Sequence, residues 1–178
     1  MNNFFKKTII FLISIAVILA FSVKVLKNLF PYSYFSTVEK YCLMFDVDTS
    51  LAMALIKAES NFDKNAVSSA NAKGLMQLTN DTFNYCNSHL NITEADIFNP
   101  EDNIRAGVWY VSYLIKRYNG NTQNALAAYN AGASNVDKWL KNKDYSSDGK
   151  TLDKIPFNET KNHSTKINNY KRIYEILY

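Results

Sequence analysis

An all-α fold is what this chain predicts: one domain of about seven helices, preceded by a helix able to span a membrane. Three observations carry that expectation. Thr8 to Val23 (TIIFLISIAVILAFSV) holds no charge and lies between Lys6-Lys7 and Lys24. From residue 33 onward, apolar side chains recur three and four positions apart in segments bounded by capping residues. No run alternates with period 2 through β-branched residues, so no strand competes.

The first element, counted to Leu26 with Lys24 snorkelling, is just long enough to cross a bilayer. A cleaved secretory signal has the same basic start and apolar middle. Its cleavage site wants small residues, and Ala20-Phe21-Ser22, followed by Val-Lys-Val-Leu-Lys, is a poor one. The reading therefore favours residues 1–27 as an uncleaved anchor and residues 28–178 as an exported domain. Lys6, Lys7 and the amino terminus place the start of the chain inside, although Lys24 and Lys27 dilute the asymmetry.

Val38, Tyr41, Cys42 and Phe45 share one face of a helix near 33–46. Asp48 or Thr49 caps the next, which runs through Leu51, Leu55 and Ile56 to Glu59. Residues 60–73 (SNFDKNAVSSANAK) are small and polar, hence a loop. Thr79 or Asn80 starts a helix to about His89, and Thr93 a short one. Asn99-Pro100 opens a long helix with Ile104, Val108, Val111 and Leu114 in its stripe and Gly120 near its stop. Helices near 122–130 and 135–142 follow, the first ending at Gly132. Residues 143–155 form a polar loop, and Asn158 caps a last helix through Ile167, Tyr170 and Tyr174.

A chain of 178 residues with 47% apolar content holds one domain with a core and excludes wholesale disorder. Four of its 20 Lys and Arg lie in the first 27 residues, where there is no acid. That leaves 16 basic against 16 acidic groups in residues 28–178, no support for a nucleic-acid partner. Cys42 and Cys86 are too few for a disulfide framework and read as buried small hydrophobes, one bridge being the other reading. His89 and His163 stand in no metal-ligand spacing, and no cofactor is expected.

Glu59 breaks the ordinary rule that a helix end attracts cations. The helix behind it (LAMALIKA) has little polar surface, so the carboxylate is expected to be partly desolvated beside the negative pole of the dipole. Both effects favour its protonated form, as a general acid requires. Three further segments stand out. Gly74-Leu75-Met76-Gln77 permits close backbone approach and offers an amide; Ala127 to Gly132 (AAYNAG) sets a tyrosine and an amide among small residues; Ile155 to Thr160 (IPFNET) begins the last helix.

Glu59-Ser60, GLMQ, AAYNAG and IPFNET, in that order, resemble the lytic transglycosylases of the soluble-lytic-murein (SLT) type, over roughly residues 35–178. The resemblance implies a goose-type lysozyme-like fold. It also implies cleavage of the β-1,4 bond between N-acetylmuramic acid and N-acetylglucosamine in peptidoglycan, leaving 1,6-anhydromuramyl ends. Glu59 matches the family's single catalytic acid/base. Ser68 matches a serine near the acid, Gln77, Tyr129 and Asn130 match residues lining the saccharide cleft, and Met76 matches a wall of it. The implied partners are glycan strands, with the membrane met through the first helix and no protein partner specified. The implied setting is the outer face of the cytoplasmic membrane, in wall turnover or remodelling.

The chain departs from the family where E-T-x-x-Y-V is common: it reads Glu159-Thr160-Lys161-Asn162-His163-Ser164. His163 in the tyrosine's place still donates a hydrogen bond but titrates near neutral pH. Two rivals stay open. One is a goose-lysozyme-like hydrolase with a water held by a second carboxylate, for which Asp63 is the candidate. The other is a non-catalytic wall-binding module, against which the intact Glu59 argues.

Overall fold

The computed structural model describes residues 3–178; the first two residues of the expected anchor lie outside that range. Helix α1 (Asn3–Leu29) is a rod about 40 Å long whose apolar side chains from Ile9 to Leu29 are exposed. It is the one helix among the described residues long and apolar enough to cross a membrane. Residues 30–34 then run along the end of the chain's last helix. Phe30 is buried edge-on against Tyr170 (5.1 Å) and Tyr174 (5.7 Å), and Tyr32 stacks between Phe35 and Tyr178 at 4.0 and 3.9 Å. Tyr174 and Tyr178 donate their hydroxyls to the carbonyls of Pro31 and Phe30, both at 3.1 Å.

Helix α2 (Phe35–Phe45) turns Val38, Tyr41 and Cys42 inward and ends at Asp46 in the left-handed region. In α3 (Thr49–Glu59), Asp48 is the cap, accepting from the Leu51 N–H at 2.9 Å. Every residue from Leu51 to Ile56 is buried, so α3 is the central helix of the domain, packed between α2 and α8. Thr79 caps α4 (Asn80–His89). The short helix expected at Thr93 does not form. There the Asp96 carboxylate accepts from the Phe98 N–H, and Asp102 from the Asp96 N–H, so side chains take the backbone donors that a helix would have used.

Helix α5 (Pro100–Arg117) starts where Asn99 accepts from the N–H groups of Glu101 and Asp102. It closes at Gly120, whose φ of +84° lets its N–H reach back to the Ile115 carbonyl. Helices α6 (Thr122–Ala131) and α7 (Ala133–Leu140) are separated by Gly132 alone, so α7 begins two residues earlier than expected. In α8 (Asn158–Leu177), Asn158 is the first helical residue and makes no capping bond, a correction to its expected role.

Among the described residues the elements are thus all helical, with only isolated bridges Val67–Lys73 and Lys73–Leu78 between α3 and α4. A larger core surrounds α3, and a smaller one joins the end of α5 to α6, α7 and the buried Leu152 and Ile155. The loop after α7 is polar yet fixed, because buried Asn124 donates to the Lys150 carbonyl at 2.7 Å and accepts from the Leu152 N–H at 3.1 Å. Cys42 and Cys86 are buried and unpaired, and burial pushes both thiols up to about 12.

Candidate active site

Because six consecutive residues of α3 are buried, the helix is held lengthwise in the core and can deliver its last residue, Glu59, to one place only. That place is a cavity of about 470 Å³ between the end of α3, residues 60–79 and α8. The chain leaves Glu59 by a turn in which Asn61 and Phe62 have φ of 52° and 66°. Ser60 fastens the turn, donating to the Leu75 carbonyl at 2.8 Å. The residue after the carboxylate is therefore tied directly to the GLMQ segment.

That segment is clamped from behind by Asn103 of α5. Its Oδ1 accepts from the Met76 N–H at 2.8 Å, and its Nδ2 donates to the carbonyls of Ile97 (2.8 Å) and Lys73 (3.1 Å). Gly74, with φ of +76°, lies against this side chain, and a Cβ there would stand 2.3 Å from Asn103 Nδ2. Gln77 lines the cavity with φ of 48° and donates its amide to the carbonyls of Gly74 (3.0 Å) and Ala66 (3.1 Å). Met76 differs from expectation. It is wholly buried against Gly107 and is not among the residues that line the cavity.

Tyr129 and Asn130, at the end of α6, serve as struts. The Tyr129 hydroxyl donates to the Met76 carbonyl at 2.7 Å, and its burial, with the Glu59 charge nearby, pushes its ionisation well above the ordinary tyrosine value. Asn130 accepts from the Thr160 hydroxyl at 2.6 Å, which joins AAYNAG to IPFNET. Ser68 lines the cavity on its exposed side, and its hydroxyl accepts from the Ala72 N–H at 3.1 Å.

His163 meets Glu59 itself. Its Nε2 lies 2.8 Å from Glu59 Oε1, with the two side chains 13% and 15% exposed. Its Nδ1 is buried without a partner. Two residues of α8 that sequence reasoning missed share this face: Lys166, whose ammonium donates to the Ala58 carbonyl at 3.1 Å, and Tyr170. They stand three and seven positions after His163, so helical spacing marks them once His163 is placed. Asn103 was missed too, although a polar residue in the apolar stripe of α5 is itself a signal. Burial and the neighbouring Lys166 charge lower the Lys57 ammonium, which also lines the cavity.

Among the described residues, Glu59 is the one carboxylate lining this cavity. Asp63 is exposed and turned onto its own loop, where it accepts from the Asn65 N–H at 2.9 Å. The arrangement offers one hydrogen-bonded carboxyl group, hydroxyls, an amide and the ammoniums of Lys57 and Lys166 around a groove: equipment for moving a proton at a polar substrate.

Comparison with known proteins gives the chain a family. The sequence model of the family described as "Transglycosylase SLT domain" matches residues 36–152. The soluble lytic murein transglycosylase of Salmonella typhimurium is 30% identical over 154 residues, covering 84% of this chain and 24% of that protein. The membrane-bound lytic murein transglycosylase C of Yersinia pseudotuberculosis is 34% identical over 117 residues, or 59% of this chain and 33% of that one. The crystal structure of the 70 kDa soluble lytic transglycosylase of Escherichia coli superposes with a TM-score of 0.76 at 28% identity, covering 85% of this chain and 25% of that one. The chain thus spans a quarter to a third of the length of these relatives.

Proposed function

The chain belongs to the transglycosylase SLT domain family, and from that premise we propose that it is a membrane-anchored lytic transglycosylase of peptidoglycan. Helix α1 is the anchor, with its basic start inside, and residues 28–178 work on glycan strands at the outer face of the membrane. Glu59, protonated, gives its proton to the oxygen between N-acetylmuramic acid and N-acetylglucosamine as the bond to C1 breaks. The resulting carboxylate then takes the proton of the muramyl 6-hydroxyl as that oxygen attacks C1. The acid is restored, no water is consumed, and a 1,6-anhydromuramyl end remains. The substrate's 2-acetamido group stabilises the charge at C1 between the two steps.

The observation that carries this reading is that Glu59 is the one carboxylate among the described residues lining its cavity. Hydrolytic glycosidases pair an acid with a second carboxylate that either attacks C1 or activates water. The residue expected to fill that role in a lysozyme-like hydrolase, Asp63, is engaged in its own turn. A nucleophile supplied by the sugar removes the need for a second carboxylate.

The test is digestion of purified peptidoglycan by the full chain in detergent beside a Glu59→Gln control, with products weighed by mass spectrometry. Fragments lighter by one water than hydrolytic products, and absent from the control, are expected. Reducing muramyl ends would assign a hydrolase instead, and no fragments from either protein would assign a wall-binding module.

A further inference from the structure

We propose that His163 serves Glu59 as a neutral imidazole, holding its proton on Nε2 and donating it to Glu59 Oε1 while Nδ1 stays unprotonated. Oε2 is then the oxygen that exchanges protons with the substrate. The proposal rests on the reading of Glu59 as the acid/base, and it makes His163 a positioning residue.

Two observations carry it: the 2.8 Å contact between Nε2 and Oε1, and the burial of Nδ1 with no partner. Three proton arrangements fit the contact. An imidazolium would carry an N–H on Nδ1 with nothing to receive it. A neutral ring protonated on Nδ1, accepting the Glu59 proton at Nε2, leaves the same orphaned donor and directs the acid's proton away from the substrate. A neutral ring protonated on Nε2 leaves only a lone pair unmet. Buried orphaned N–H groups are the rarer and costlier defect.

This one tautomer suits both halves of the reaction. When Glu59 is an acid, Oε1 is its carbonyl oxygen and accepts from Nε2, leaving the proton on Oε2. When Glu59 is a carboxylate, the same bond persists and Oε2 is free to receive a proton. Around the cavity, the titratable groups are Glu59 and Lys57 from α3, and Lys166 and Tyr170 from α8. Tyr129 of α6 lies within reach of the Glu59 charge. The 60–79 segment brings only uncharged groups to the cavity.

The chain has two histidines, so ¹⁵N-histidine labelling of the full-length protein in detergent gives two ring systems, and His163→Gln assigns them. The expected spectrum shows His163 with a protonated Nε2 and an unprotonated Nδ1 throughout the pH range of activity. A protonated Nδ1 within that range would overturn the proposal. On peptidoglycan, His163→Leu should lower kcat roughly 10- to 100-fold with little change in KM, the cost of a lost hydrogen bond to a charged group. His163→Gln, whose amide can donate from nearly the same position, should keep about tenfold more kcat than His163→Leu. Equal losses in both variants would overturn the proposal. A native chain that releases no fragments would defeat the functional reading, and the nitrogen shifts would still decide the tautomer.

Discussion

Tyr129, in the last turn of α6, donates its hydroxyl to the backbone carbonyl of Met76 at 2.7 Å, so the aromatic residue of one motif holds the backbone of another. Tyr129→Phe leaves that carbonyl unmet. The expected loss is about 1 kcal/mol, read as a fall in Tm of about 2–4 °C for a chain of this size. An unchanged Tm in calorimetry would mean that water replaces the hydroxyl.

Asn103→Leu is expected to be more damaging. It strips the partners of the Met76 N–H and the Ile97 carbonyl, and one of the two donors on the Lys73 carbonyl, which keeps the Leu78 N–H. A cost of about 3 kcal/mol is expected in urea unfolding. Lytic activity should fall further than stability alone dictates, because the clamped turn carries Gln77. A variant that unfolds at the native urea concentration would remove Asn103 from the account of the site.

Gly107 lies mid-helix, where alanine is ordinarily about 1 kcal/mol better than glycine. Here a Cβ would stand 2.3 Å from Met76 Sδ and 2.8 Å from Met76 Cβ, and the second of these cannot swing away. Overpacking of about 1–3 kcal/mol outweighs the gain in helix propensity. Gly107→Ala should therefore destabilise the protein. Adding Met76→Ala should cost less than the sum of the two single changes, and strict additivity in that cycle would refute the contact.

Alkaline pH should unfold the domain. Burial pushes Cys42, Cys86 and Tyr110 up to about 12, and raises Tyr129 and Tyr174 as well. The folded chain keeps these protons at pH values where the unfolded chain releases them. The stability this provides is complete below about pH 9 and is lost as pH rises through about 12. Tm measured against pH should hold level and then fall across that window, with tyrosinate absorbance rising as the protein unfolds. A fall confined to acid pH would point to carboxylates instead.

The helices were legible because their signals are local. Asp48, Thr79 and Asn99 cap as their sequence positions suggest. The short helix at Thr93 was misread because Asp96 and Asp102 offer the backbone a competing set of bonds, which a capping rule cannot weigh. In the site, Glu59 announced itself through the apolar helix behind it, and His163 through its departure from a motif. Met76 was misplaced because a motif residue can be retained for packing, and only its contact with Gly107 shows on which side it packs. Lys166 and Asn103 act through carbonyls distant in sequence, and no local pattern registers such partners.

Helix α8 ends in the aromatic grip on residues 30–34 and begins with His163 in its second turn. The two ends of that span are about 22 Å apart. One continuous helix thus carries at one end the seat of the segment that follows α1 and near the other the imidazole that touches Glu59.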